Sequence, residues 1–372
     1  MDEKRNAILT IGIICAIILV FTGADFWKED RKYSETENRL LAARPKFSTE
    51  ELLHGSYTED YEEYVTDQFV SRDKWIGIKT KTDMLLQKKT INGVYLGKDD
   101  YLIEQHKPSD YSRELENSKL ASLKKLVKKW DAKVMLVPTA DNVITDKLPA
   151  YAIAYDEAAF LERVKKEIGE ANYIDVYAAL MEHREEEIYY RTDHHWTSLG
   201  AYYGFLEWAG TVKTAPYPYS MDKMATVSED FKGTLHSKVN VSVKPDSIAY
   251  FKETMLRPVK VTYDRQKSTN SLYEESYLDT KNQYGFFMDD NHALIEIDTS
   301  YNTGKTLFVI KDSYANCMIP LLTPHYNKIY VVDLRYYNGR LFDLMESVKP
   351  DTGMDVLVLY NCIHFLEDFK YY

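Results

Sequence analysis

A chain of 372 residues with 45% hydrophobic and 28% charged side chains lies in the globular range, long enough for one large or two medium domains and unlike a disordered tail. Its formal charge of -11 argues against nucleic acid as a partner, since phosphate binding needs a basic face. Three cysteines are too few for a disulfide scaffold; Cys15 falls in an apolar run, which leaves Cys317 and Cys362 as one disulfide or as two buried thiols.

In chain order the first signal is "AILTIGIICAIILVFTGA", 18 residues without a charge. That is close to the ~20 that cross a hydrocarbon core as a helix. Lys4 and Arg5 precede it, so positive flanks staying inside put the rest of the chain outside the cytoplasm. Residues 1–24 are therefore read as a single-pass membrane anchor, with a signal peptide cleaved near Thr22 and Ala24 as the rival. Residues 25–48 are charged and aperiodic, as suits a tether. Residues 49–105 carry helical patterning up to Gln87 and then the turn "GKDDYL", and are expected to pack on a main domain spanning 106–372.

That domain opens with a helix in which Leu115, Leu120, Leu123 and Leu126 share a face, capped by Ser109 or Asp110. It leads into the strand "AKVMLVP". Helix "DEAAFLERVKKEIG", strand "NYIDV", helix "YAALMEHREEE" and helix "TSLGAYYGFLEWAG" follow. Between about 211 and 304 the alternation stops, and β-type runs such as "VNVSV" and "RPVKVTY" read as a loop-rich and β-rich insertion. Strand "KTLFVIKD", a helix, strand "NKIYVVDL", helix "GRLFDLMESV" and strand "DVLVLYN" complete the chain. Strands alternating with helices predict an α/β fold, a three-layer α/β/α sandwich with a mainly parallel sheet.

In such a sheet ligands collect beyond the carboxyl ends of the strands. Those ends carry Asn142, Ser313, Arg335 and Asn361. Ser313, between a strand and a helix, has its hydroxyl on a turn toward which free helix N–H groups point. A serine is a weak nucleophile until a base takes its proton. In "YYRTDHHWTSLGAYYGF" Asp193 precedes His195 by two positions, close enough to hold one ring nitrogen's proton and free the other as base. The reading is that Asp193 orients, His195 abstracts and Ser313 attacks, with His194 turned to the core or to substrate. Against it, Ser313 can be a helix cap and Asp193 a cap near Thr197. Asn142 or Asn361 supplies a second oxyanion donor or is a turn residue. Arg191 and Arg335 steer an anionic acceptor or are simply solvated, and Trp196 stacks on a sugar ring or wedges the loop into the core. No metal is expected, because "HH" lacks helical ligand spacing and the chain has no HExxH or CxxC; no cofactor is implied.

The blocks "TDHHWTSLGAYYGF" and "IKDSYANCMIPLLTPHYNKIYVVDLRYY", with "ENRLLAARPKFS", "YVTDQFVSRD", "VYLGKDDYLIE" and "FKGTLHS", resemble the DHHW family, named after that tetrapeptide. They are similar to the SGNH-hydrolase-like domains of alginate O-acetyltransferase proteins. The resemblance implies an SGNH-hydrolase-like fold in circularly permuted order, with the Asp-x-His block before the nucleophilic serine. It also implies acetyl transfer to an exported polysaccharide, with a membrane-bound O-acyltransferase partner supplying the acetyl group. The expected function is an extracytoplasmic O-acetyltransferase working through an acyl-serine. A glycan deacetylase or esterase with the same triad, and a non-catalytic glycan-binding or scaffolding envelope protein, are the alternatives.

Overall fold

The computed structural model describes residues 2–34 and 39–371. It divides into two compact units, residues up to Lys88 with Ser237–Val241, and Lys89–His236 with Ser242–Tyr372. In the first, the helix Asp2–Trp27 contains Lys4–Ala24, which is long and apolar enough to cross a membrane; its residues are exposed apart from Phe21, half-buried and stacked on Phe69. A membrane anchor or a signal sequence both meet that description. Three helices follow, Thr49–His54, Ser56–Gln68 and Arg72–Leu85. Ser48 caps the first by accepting from the Glu51 N–H, and Gly55, at φ 88°, ends it in a conformation that side chains resist. The stretch read as a tether is pinned at two points. Gln68 exchanges hydrogen bonds with the Arg31 backbone and donates to the Ala42 carbonyl, while Asp67 accepts from the Ala42 N–H.

The second unit is built on seven strands: β1 Lys133–Val137, β2 Val259–Tyr263, β3 Lys267–Thr269, β4 Leu294–Thr299, β5 Thr306–Lys311, β6 Lys328–Asp333 and β7 Asp355–Asn361. Their order is β3-β2-β4-β6-β5-β7-β1. The pairs β6–β5, β5–β7 and β7–β1 are parallel, whereas β3–β2, β2–β4 and β4–β6 are antiparallel. The sheet is thus mixed, not mainly parallel. The cause is the segment read as an insertion: its hairpin and β4 extend the parallel half edge to edge instead of packing elsewhere.

Strand residues alternate between two cores because successive side chains leave a strand on opposite faces. Met135, Val137, Leu307, Val309, Leu357 and Leu359 pack with Trp196, Phe205 and Trp208. Val134, Leu136, Phe308, Ile310, Val356 and Val358 face the opposite core, with Leu123, Phe160, Leu344 and Phe365. The covering helices are α1 Arg113–Trp130, α2 Glu157–Ile168, α3 Val176–Glu182, α4 Ser198–Thr211, α5 Leu341–Val348 and α6 Cys362–Asp368. α1 is capped by Ser112, which accepts from the Leu115 N–H at 3.2 Å, not by Ser109 or Asp110; these two lie in a separate 3₁₀ turn. "NYIDV" forms only the single bridge Val134–Tyr173, since Asp175 already caps α3. "VNVSV" forms no strand; Val239 ends the helix Thr234–Val239 and coil follows. Cys317 and Cys362 are both buried free thiols. Burial pushes the Cys317 thiol up to about 12.

Candidate active site

The four parallel strands place their carboxyl ends on one edge of the sheet, and two segments meet there. β5 runs into Asp312, whose side chain accepts the Tyr314 N–H and caps the short 3₁₀ helix Ser313–Cys317. Because the aspartate takes the capping role, the Ser313 hydroxyl is free for another partner. The second segment is the loop between α3 and α4. Thr197 caps α4 by accepting from the Gly200 N–H, so Asp193 is not that helix's cap.

Ser313 Oγ lies 2.8 Å from His195 Nε2, and His195 Nδ1 lies 2.5 Å from Asp193 Oδ1. The same carboxylate oxygen accepts the His195 backbone N–H at 3.1 Å. Its other oxygen accepts from the backbone N–H and the hydroxyl of Thr234, at 2.8 and 3.0 Å. Burial alone would raise the Asp193 pKa, but His194, His195 and the Thr234 N–H together hold it well below the usual carboxylate range. Asp193 is therefore a fixed anion, suited to hold a proton on Nδ1 and leave Nε2 facing the serine. The His195 ring packs between Tyr284, stacked at 3.8 Å, and His194 at 3.9 Å. Two rings this near one centroid cannot share a face.

The loop carrying Asp193 is held by Asp246, which accepts the N–H groups of Arg191 and Thr192 at 2.8 Å and the Thr192 hydroxyl at 2.6 Å. Gly233 approaches so closely that a Cβ there would sit 2.2 Å from Asp193 Oδ2. This accounts for "FKGTLHS": the glycine permits the approach and the threonine braces the carboxylate. Beneath Ser313, the fully buried Lys311 ammonium donates to Asn291 and Asn316 at 2.8 Å and pairs with Asp333 at 3.3 Å. Burial lowers its pKa.

A small cavity, lined among others by Glu104, His106, Asp141, Asn361 and His364, reaches His194 and Tyr314, the chain neighbours of His195 and Ser313, without including the triad side chains themselves. A larger one, about 480 Å³, opens where the strands begin, at Lys133, Thr306 and Asp355, and holds none of the triad residues.

The model of the family described as DHHW protein matches residues 109–332, more than half of the chain and all three of these side chains. The chain belongs to the DHHW family. A DHHW family protein from Eubacterium siraeum is similar in structure, with a TM-score of 0.61 and 24% identity over 74% of this chain and 93% of that one. Bacillus cereus PatB1, solved with a sulfonyl adduct, gives a TM-score of 0.58 and 21% identity over 74% and 98% of the two chains. The O-acetyltransferase domain of Pseudomonas putida AlgJ overlays at a TM-score of 0.46 with 16% identity, covering 75% and 94%. No curated protein matches the chain.

Around the triad of this DHHW protein the other candidates separate. Asn361 lines the cavity; its Oδ1 accepts the Ile363 and His364 N–H groups, and its amide nitrogen makes only a 3.5 Å contact to the Val137 carbonyl. Asn142 instead accepts the Glu157 N–H and donates to Asp141, which holds the loop. Trp196 is completely buried and donates to the Tyr314 carbonyl at 2.7 Å, so it wedges the two loops together and has no face for a sugar. Arg191 pairs with Glu187 and lies over the Tyr101 ring, and Arg335 is engaged by Asp333 at 2.6 Å. Neither lines the cavity. His194 does, with Nδ1 2.7 Å from the Thr234 hydroxyl; burial pushes its pKa down to about 3, and it is neutral.

Two clusters escape sequence reasoning. His106, Asp141 and Glu157 lie together, all buried, with Thr139 Oγ1 2.5 Å from one oxygen of each carboxyl group. One hydroxyl proton cannot serve both, so one carboxyl holds a proton. Glu157 is completely buried next to the Asp141 charge, which raises its pKa well above the carboxylate range and makes it the protonated member. His106 is charged: burial opposes this, but Asp141, 3.3 Å away, raises its pKa to about 9. The second cluster is Asp312 with His364. Neither cluster is contiguous in sequence, and no short motif marks them.

Proposed function

We propose that this chain is an extracytoplasmic O-acetyltransferase that acetylates a cell-surface or exported polysaccharide through an acyl-serine. The observation that carries the reading is the unbroken hydrogen-bonded line Asp193–His195–Ser313. His195 takes the Ser313 proton as Oγ bonds to the acyl carbon, then returns it to the donor's leaving oxygen as the acyl–oxygen bond breaks. A sugar hydroxyl repeats the sequence in reverse: it gives its proton to His195, bonds to the acyl carbon, and Ser313 leaves with the proton. The Ser313 N–H and the Asn361 amide are the assigned oxyanion donors.

Bacillus cereus PatB1, whose fold is similar, was solved with a sulfonyl adduct, and sulfonyl reagents capture activated nucleophiles, which supports a covalent mechanism. The apolar helix Lys4–Ala24 supports a place at the membrane, where a membrane-bound O-acyltransferase partner would deliver the acetyl group. Incubating the full chain in detergent with an activated acetyl ester and candidate glycans tests the reading. Acetylated glycan forming faster than free acetate, with a transient acetyl mass on a Ser313 peptide, is the expected result. Free acetate alone makes the protein an esterase, and an unmodified Ser313 removes the acyl-enzyme.

A further inference from the structure

Asp312, immediately before the proposed nucleophile, is completely buried and its carboxylate meets three donors. Oδ1 accepts the Tyr314 N–H at 3.0 Å; Oδ2 accepts the Asn361 N–H at 3.0 Å and lies 2.7 Å from Nδ1 of His364. A carboxylate on one ring nitrogen fixes a proton there and turns the other nitrogen away. His364 sits in the first turn of α6, keeps 21% of its side chain exposed, and lines the cavity beside Asn361, Tyr314 and His194. Its ring centroid is 5.6 Å from that of His194. Two Asp–His pairs are thus tied to Ser313, Asp193–His195 by a hydrogen bond to its hydroxyl and Asp312–His364 through the residue that precedes it, and the mechanism above uses one.

We propose that His364 is a further catalytic residue, its Nε2–H donating a hydrogen bond to the acyl oxygen that becomes negative when Ser313 is attacked. The inference rests on the acyl-serine reading. No proton changes owner in this role: the carbonyl electron pair moves onto oxygen as Oγ bonds to carbon, the imidazolium stabilises that charge, and the pair returns when the leaving group departs. The ring must be charged to donate from Nε2 while Nδ1–H serves Asp312. Burial disfavours that form, but the Asp312 hydrogen bond and charge outweigh burial and raise the His364 pKa above the ordinary imidazole value. Arg335 works against the shift and Asp368, on the same helix, with it. The remaining groups facing the cavity are Glu104, the charged His106 with its counter-ion Asp141, and the neutral His194.

The test uses the full chain in detergent as wild type, His364→Leu and His364→Gln. Hydrolysis or transfer of 4-nitrophenyl acetate is followed across pH, and labelling of Ser313 by phenylmethylsulfonyl fluoride is read by peptide mass. His364→Leu should lose roughly 10²–10³ in kcat with KM little changed, as when an oxyanion donor is removed, while Ser313 is still labelled. Wild-type activity should fall on the alkaline side as His364 gives up its proton. His364→Gln, a neutral donor, should recover part of kcat and lack that alkaline limb. Turnover of His364→Leu within threefold of wild type, or an alkaline limb that survives in His364→Gln, overturns the role of His364 alone. A wild-type chain that is never labelled at Ser313 overturns the acyl-serine reading and this inference with it.

Discussion

Gly233→Ala tests the brace behind the triad without replacing any of its three members. The added Cβ would sit 2.2 Å from Asp193 Oδ2 and 2.3 Å from Asp193 Cβ, where side-chain atoms essentially never come closer than 3.0 Å. Asp193 must therefore retreat by roughly 1 Å, a displacement that can cost about 10²-fold in rate when it misplaces a catalytic group. It cannot retreat at no cost, because one carboxylate oxygen is committed to His195 and the other to Thr234. Overpacking of this kind costs about 1–3 kcal/mol in stability, which most folded domains survive. The expected outcome is a folded protein, a few degrees lower in Tm, with kcat for an activated acetyl ester down ~100-fold and KM little changed. A variant that keeps at least half the wild-type kcat would show that Asp193 need not be held where it is.

Ser313→Ala should abolish the acetyl-peptide adduct and lower turnover by ~10⁴–10⁶, read from single-turnover kinetics. Lys311→Met leaves the Asn291 and Asn316 carbonyl oxygens and part of the Asp333 charge without their buried partner; a loss of about 3 kcal/mol in denaturant unfolding is expected. Glu157 binds its proton more tightly in the native state than in the unfolded one, so stability falls as pH rises from the ordinary carboxylate range through its raised native pKa. Glu157→Gln should flatten that part of the Tm–pH curve, while His106, with a native pKa of about 9, keeps a further decline above neutrality. Cys317 and Cys362, buried with raised pKa values, should stay unmodified by a thiol reagent in native Cys15→Ser protein and react once it is unfolded.

The residues of "DHHW" and "KDSY" could be read together because each announces its chemistry locally, an aspartate two positions before an imidazole and a serine at a strand end. The structure brings those side chains into one hydrogen-bonded line. The helices α1, α2, α4 and α5 were equally legible, since a 3.6-residue period survives wherever one face is buried. What stayed hidden depends on pairing between distant segments. The strands at 259–299 alternate like any half-buried strand, and nothing local states that they join the parallel half antiparallel at its edge. Thr234 reaches Asp193 from 41 residues away and Tyr284 stacks on His195 from the far side of the sheet sequence. Trp196 stays open between ring platform and core wedge in the sequence because tryptophan serves both roles, and only its complete burial decides between them.

The imidazole of His195, clamped above and below by Tyr284 and His194, has no room to swing between two stations. If the chain carries out the proposed acetyl transfer, donor and acceptor visit one and the same nitrogen in succession, each vacating the pocket before the other arrives. Initial-rate plots against the two substrates should accordingly run parallel rather than converge, and high acceptor concentration should inhibit competitively against the donor.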